Sequence, residues 1–227
     1  MRINDDLTRP VIVHAARQDW VPSPAAGVER RMLFRIGDEV ARATSVVRYA
    51  PDSAFPRHTH GGGEEILVLD GVFRDEHGDY PAESYLRNPP GTSHVPASRE
   101  GCTIFVRLRQ FRDDDDVQVV CRPGEGRKVN PRPGATAATV LFDDAYEEVR
   151  IEDWMAGARV LVDNRRGLEF LVLAGELRIG DEQLDSQSWG RLPAGTHLDA
   201  GVGPRGARIW IKGAPLLHPD VRQLLGP

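Results

Sequence analysis

The chain has 227 residues, enough for one large all-β domain or two of about 110. Its 40% hydrophobic, 28% charged and 7% aromatic composition is globular, neither disordered nor collagenous. Lys and Arg number 29 against 34 Asp and Glu, a formal net charge of −5, so no global positive field gathers nucleic acid or anionic lipid.

No run of apolar residues is long enough to cross a membrane, and Met1–Asp6 lacks the apolar core of a signal peptide. A cytoplasmic protein with no membrane or nucleic-acid partner is therefore expected. Along the chain, 23 Gly and 17 Pro separate short β-branched and aromatic runs such as Thr44–Tyr49, Glu65–Leu69 and Thr103–Leu108. These are strands bounded by turns, and the fold class they predict is all-β. Helix-period spacing is confined to the tail, where Pro219–Leu225 fits one short turn. The acidic run Asp113–Asp116 reads as a solvated loop opening a turn-rich stretch. The expected domains are 1–112 and 135–227, with 113–134 as linker. Cys102 and Cys121 lack Cys-x-x-Cys spacing and are expected to be buried, inert thiols.

An internal repeat runs through the chain at a constant offset of 104 residues. It carries Gly63 to Gly167, Glu65 to Glu169, Leu67–Leu69 to Leu171–Leu173, Gly71 to Gly175, and Pro89, Gly91 and Thr92 to Pro193, Gly195 and Thr196. A strand, the glycine that leaves it and a later Pro-x-Gly turn recur, which implies two tandem β-barrels or sandwiches.

Chemistry concentrates in the first half. His58 and His60 alternate with Thr59, so on a strand they share a face and can chelate one ion. Gly61, Gly62 and Gly63 then allow a sharp turn that returns a carboxylate beside the pair, and His94 follows a Pro-x-Gly turn to close the site. Three imidazoles and one carboxylate suit a divalent transition metal, one per chain: zinc, iron, manganese or nickel. Under the offset His58, His60, Glu64 and His94 fall on Val162, Asn164, Leu168 and Leu198. All four candidate ligands vanish together, so the second half is expected to be metal-free. Glu65 persists as Glu169, which marks Glu65 as structural and Glu64 as the ligand. His197 lies one residue from the ligand position and is expected to face away. His14, His77 and His218 have no partner pattern and read as surface residues. Arg57 alternates with His58 and should point away; Tyr49 and Tyr80 read as packing residues.

The spacing His-x-His-x3-Glu-x6-Gly followed by Pro-x-Gly-x2-His resembles the two signature motifs of the cupin superfamily. Ala43–Ala50, Gly62–Leu69, Asp75–Pro81 and Arg87–His94 are similar to the cupin domain of the ChrR type, over roughly residues 19 to 112. The resemblance implies two tandem cupin (double-stranded β-helix, or jelly-roll) barrels, the second degenerate, with metal held by His58, His60, Glu64 and His94. Glu83 departs from the motif, which prefers glycine there. ChrR proteins also carry an N-terminal zinc-binding helical domain that holds a sigma factor. Nothing before residue 19 supplies one, so a sigma factor is not an expected partner. The expected function is binding or sensing of a small molecule at the metal, with a possible homodimer. The alternative is a non-haem dioxygenase cleaving a diketone or hydroxyacetophenone-like substrate, because related stand-alone cupins include such enzymes.

Overall fold

A computed structural model describes residues 1–216; the helical turn expected at Pro219–Leu225, and His218, lie outside the described residues. Apart from one 3-10 turn at Ala15–Arg17, the regular elements are strands. The first compact unit comprises Met1–Asp5 and Gln18–Glu125, the second Asp6–Arg17 and the described residues from Gly126 to Leu216.

In the first unit, antiparallel strands follow the order Arg2–Ile3, Val28–Gly37, Ala41–Tyr49, Cys102–Leu108, Glu64–Asp75, Tyr85–Asn88 and Val119–Cys121. Alternation along Glu64–Asp75 sends Ile66 and Val68 into an apolar cluster with Tyr49, Phe73, Ile104 and Val106. A separate ladder pairs His58–Thr59 with Ser93–His94, and in it His58 stands opposite His94. In the second unit the order is Arg127–Val129, Ala135–Asp143, Glu148–Trp154, Leu198–Gly213, Leu168–Ile179, Ser188–Leu192 and Val11–His14. Here Val162 stands opposite Leu198, as the offset demands.

Residues 113–134, expected as linker, contribute a strand to each unit: Val119–Cys121 covers Tyr85–Arg87, and Arg127–Val129 pairs with Ala138–Val140. Val11–His14 covers Ser188–Arg191 in the same way, so each sheet has its edge strand capped. That pairing also half-buries His14, which contacts Ser188 and Glu182 at 3.2 Å each, where the sequence suggested a solvated residue. The acidic run is not wholly solvated either. Asp115 is buried and takes a forked ion pair from the equally buried Arg87. Cys102 and Cys121 are free and buried, and burial pushes the Cys102 thiol up to about 11.

The two units share detail below the level of strands. Glu83 and Gln187 both adopt the left-handed conformation, at φ of 71° and 64°, and each donates its backbone N–H over 2.8 Å, to Val68 and Val172 respectively. Glu83 thus takes the conformation that the family's glycine would hold. Gly71 (φ 71°) lies so close to the Gly101 carbonyl that a Cβ would overlap it, and Gly175 (φ 77°) stands in the same relation to Gly206. Gly101 to Gly206 is an offset one residue longer than 104, which locates a single insertion between the Pro-x-Gly turn and the last strand. Gly71→Ala is expected to destabilise the first unit by on the order of 2–3 kcal/mol, through the positive φ and the backbone clash together, as measured by denaturant unfolding.

Candidate metal centre

His58 and His94 face each other across the short ladder, His60 leaves the same strand two residues on, and Glu64 opens the long strand after the glycine turn. One donor atom from each of the four lies within 4.8 Å of all the others. Donors bound at about 2.1 Å to a common ion lie roughly 3–4 Å apart, so small side-chain rotations close this set on one ion. Ring centroids stand 5.1 Å apart for His58–His60 and His58–His94 and 4.6 Å for His60–His94.

What each imidazole does with its other nitrogen decides whether the cluster fits a metal. His60 Nδ1 lies 2.9 Å from Thr92 Oγ1, and that hydroxyl donates to Pro89 O at 2.7 Å, so it accepts from His60. His94 Nδ1 lies 3.3 Å from Asp75 Oδ2, and His58 Nδ1 lies 3.2 Å from Pro56 O. All three partners act as acceptors, so each ring keeps a proton on Nδ1 and turns Nε2 toward the centre. His60 Nε2 and His94 Nε2 are buried, sit 3.2 Å from Glu64 Oε2, and none of these three atoms has an aligned hydrogen-bond partner. Buried polar atoms of this kind are costly, and a shared cation satisfies all of them.

Electrostatics agree. Burial alone would raise the Glu64 carboxyl, but the His60 and His94 imidazoles outweigh it and hold the group well below the usual carboxylate range. Burial disfavours charge on His94, yet Asp75 and Glu64 push its pKa up to about 9. Tyr80 donates to Asp75 at 3.1 Å, which holds that carboxylate beneath His94.

The glycine turn serves packing as much as chain reversal. Gly62 lies so close to Arg109 that a Cβ would sit 2.9 Å from its Cα, and a Cβ on Gly63 would overlap the Phe111 ring. Arg87 stacks on Phe111 at 4.4 Å. Beside the cluster opens a cavity of about 380 Å³ whose walls include Tyr49, Ile66, Phe73 and Val106, with Arg30 and Arg109 also on its lining. Burial and then the nearby Glu64 charge raise the Tyr49 hydroxyl well above its ordinary value, so it stays protonated. Tyr49 packs in the core against Phe55 and Phe73, as expected.

Other residues fall outside the cluster. Arg57 turns away to Glu76 and His77 is exposed. Glu65 accepts from Tyr85 at 2.7 Å and pairs with Arg107, a buried role that Glu169, opposite Lys212, keeps in the second unit. Asn164, at the position of His60, donates to the carbonyls of Leu192, Pro193 and Thr196, while Val162, Leu168 and Leu198 join the apolar core. His197 is exposed beside Asp163. Asp75, Thr92 and Arg109 were not singled out from the sequence. Strand pairing brings them to the site, and only Thr92 carried a signal, its place in the repeated Pro-x-Gly-Thr turn.

Solved structures share this architecture. A candidate dioxygenase from Nostoc punctiforme superposes with a TM-score of 0.73 at 14% identity, covering 97% of this chain and 88% of its own. A cupin 2 conserved barrel domain protein from Leptotrichia buccalis gives 0.57 at 12% identity, covering 93% and 99%. A bacterial pirin from Escherichia coli, solved in complex with nickel(II), gives 0.64 at 13% identity, covering 92% and 100%. No curated protein sequence matches the chain. The fold and the repeated barrels define a cupin protein. Residues 8–112 match the ChrR cupin-like domain family.

Two outcomes are expected from this geometry. Thr92→Val and Asp75→Ala should each weaken metal affinity by about ten- to a hundredfold in chelator competition, whereas His197→Ala should leave it unchanged. Because His94 holds a second proton below about pH 9 in the metal-free protein, metal uptake should release it, and apparent affinity should fall as pH is lowered below 9. Calorimetry in buffers of different ionisation enthalpy reads that proton.

Proposed function

We propose that the first unit binds one divalent transition metal ion through His58, His60, Glu64 and His94 and presents it to a small organic molecule in the adjoining cavity. The observation that carries this reading is the convergence of buried, unsatisfied donor atoms whose rings are each fixed from behind by an acceptor. The metal would supply Lewis acidity to an oxygen atom of the ligand, and, were it iron, redox chemistry as well. This chain's own residues supply the remainder. Ile66, Phe73 and Val106 give the cavity apolar walls, and Tyr49 offers a hydroxyl that donates a hydrogen bond but does not act as a base near neutral pH.

A non-haem dioxygenase acting on a diketone or hydroxyacetophenone-like compound is the second reading, favoured by the cavity that joins the donor cluster to apolar walls. The candidate dioxygenase of Nostoc punctiforme shares the fold and lends that reading support.

Elemental mass spectrometry of protein purified without added metal or chelator tests the proposal. About one transition-metal ion per chain is expected in the wild type and none in the His58→Ala/His60→Ala variant; equal content in both would overturn it. Iron accompanied by oxygen uptake on diketones would favour the second reading, and zinc would favour binding without redox chemistry.

A further inference from the structure

Arg109 lines the metal cavity together with His58, His60 and Glu64. Its guanidinium lies over Gly61, with Nη2 3.1 Å from where a Cβ on that glycine would stand. The backbone is pinned in a left-handed conformation at φ 56°, and its N–H donates to Gly63 O at 2.9 Å. A non-glycine residue held there at a cavity wall points to a functional demand on its side chain.

Four other arginines of this unit stand against carboxylates. Arg87 pairs with Asp115, Arg107 with Glu65, Arg48 with Glu29 and Arg57 with Glu76. Arg109 is half-buried, and its guanidinium meets no carboxylate and makes no side-chain hydrogen bond among the described residues. The same cavity is lined by Arg30, whose buried Nε has no hydrogen-bond partner and whose Nη2 stands 3.6 Å from Glu39. Arg35 also lines it, its guanidinium turned to the carbonyls of Gly37 and Asp38. Three arginines thus line the cavity against two carboxylates, Glu39 and Glu64, and a divalent ion on Glu64 would make the excess positive charge larger. Such a cavity concentrates anions.

The repeat supplies a control. In the second unit Ala214 N donates to Gly167 O at 3.0 Å, the counterpart of the Arg109 contact with Gly63, and Leu216 covers Gly167 as Phe111 covers Gly63. The loop survives there, but the cation is gone, as are all four candidate ligands. Arg109 therefore is not needed to build the turn; it accompanies the site.

We propose that the cavity takes an organic acid with an apolar body, its carboxylate held by Arg109 while a neighbouring carbonyl or hydroxyl oxygen faces the His58, His60, Glu64 and His94 cluster. The proposal rests on the metal-site reading above for the second of these contacts, and on Arg109 alone for the first. A planar guanidinium takes a carboxylate through two parallel hydrogen bonds, which fixes the orientation of the acid as well as its charge. The remaining walls, Ile66, Phe73, Ile104 and Val106 among them, suit an aryl or branched alkyl group.

The test is calorimetric titration of the zinc-loaded and of the metal-free full chain with phenylpyruvate, phenyllactate and 4-methyl-2-oxopentanoate. 1-Phenylpropan-2-one serves as the neutral control and phenyl phosphate as the competing anion. Arg109→Gln should keep its metal and its melting temperature, lose roughly ten- to a hundredfold in acid affinity, and bind the neutral ketone as the wild type does; Arg109→Lys should recover part of the loss. Acid binding unchanged in Arg109→Gln, preference of the wild type for the neutral ketone, or no binding of any of the three acids would overturn the proposal. Tighter binding of phenyl phosphate than of every acid would overturn the carboxylate assignment. A wild type that holds no metal yet binds acid through Arg109 would sink the metal reading alone.

Discussion

The turn between His60 and Glu64 is the constraint on which the first unit's chemistry depends. His60 and Glu64 flank it, so their separation is set by how tightly three glycines can be folded, and that is set by what lies on top of them. Phe111 occupies the space of a Gly63 side chain, Arg109 that of Gly62, and the backbone amides of both donate to carbonyls of the turn. Phe111 is held in turn by Arg87, whose buried charge is neutralised by Asp115. A buried cation without its partner costs several kcal/mol, about 3–5 by experience with such pairs, so the acidic residue is bound into the architecture of the site. The spacing of the cluster is thereby set from a loop that contributes none of its four residues.

Orientation of the rings is a separate matter, settled by acceptors beneath them. Thr92 hydroxyl, Asp75 carboxylate and Pro56 carbonyl each take an Nδ1 proton, which turns the three Nε2 atoms inward. The three acceptors differ in strength. Only Asp75 carries charge, and against the opposing burial it joins Glu64 in raising the His94 ring, so that protons compete with a cation there.

The sequence showed the four-residue cluster clearly, because its members lie in two short motifs whose spacing fixes their faces. His58 and His60 are related by strand alternation, and the repeat separated Glu64 from Glu65 by showing which of them outlives the site. The glycines were legible as a turn but not as the floor under Arg109 and Phe111, since that contact joins residues almost fifty positions apart. Asp75 lies in a hairpin whose composition is merely polar, and nothing local says that its carboxylate reaches His94. Val11–His14 covering Ser188–Arg191 was invisible for the same reason: alternation fixes what a strand buries, whereas pairing partners depend on which sheet edge remains open. The single-residue insertion before Gly206 also escaped a constant offset, and it reveals itself only through the matching clash of Gly71 and Gly175 with their neighbouring carbonyls.

Comparison of the two units shows what the fold gives up to keep a site. In the second, Val162, Leu168 and Leu198 fill the barrel with apolar side chains, and Asn164 stitches the Pro-x-Gly turn through three carbonyls, so every former ligand position contributes to stability. In the first, the same positions leave three buried polar atoms without partners and a cavity where the second unit has packed side chains. Both choices are compatible with one backbone, down to the left-handed Glu83 and Gln187 and the hydrogen bonds they make. The first unit is thus built below the stability its fold permits, and a cation that binds only the folded form would restore part of the difference by mass action. A site that is costly when empty and stabilising when filled would tie the folding of its own unit to metal supply, while the second unit has apolar side chains and Asn164 at the same positions.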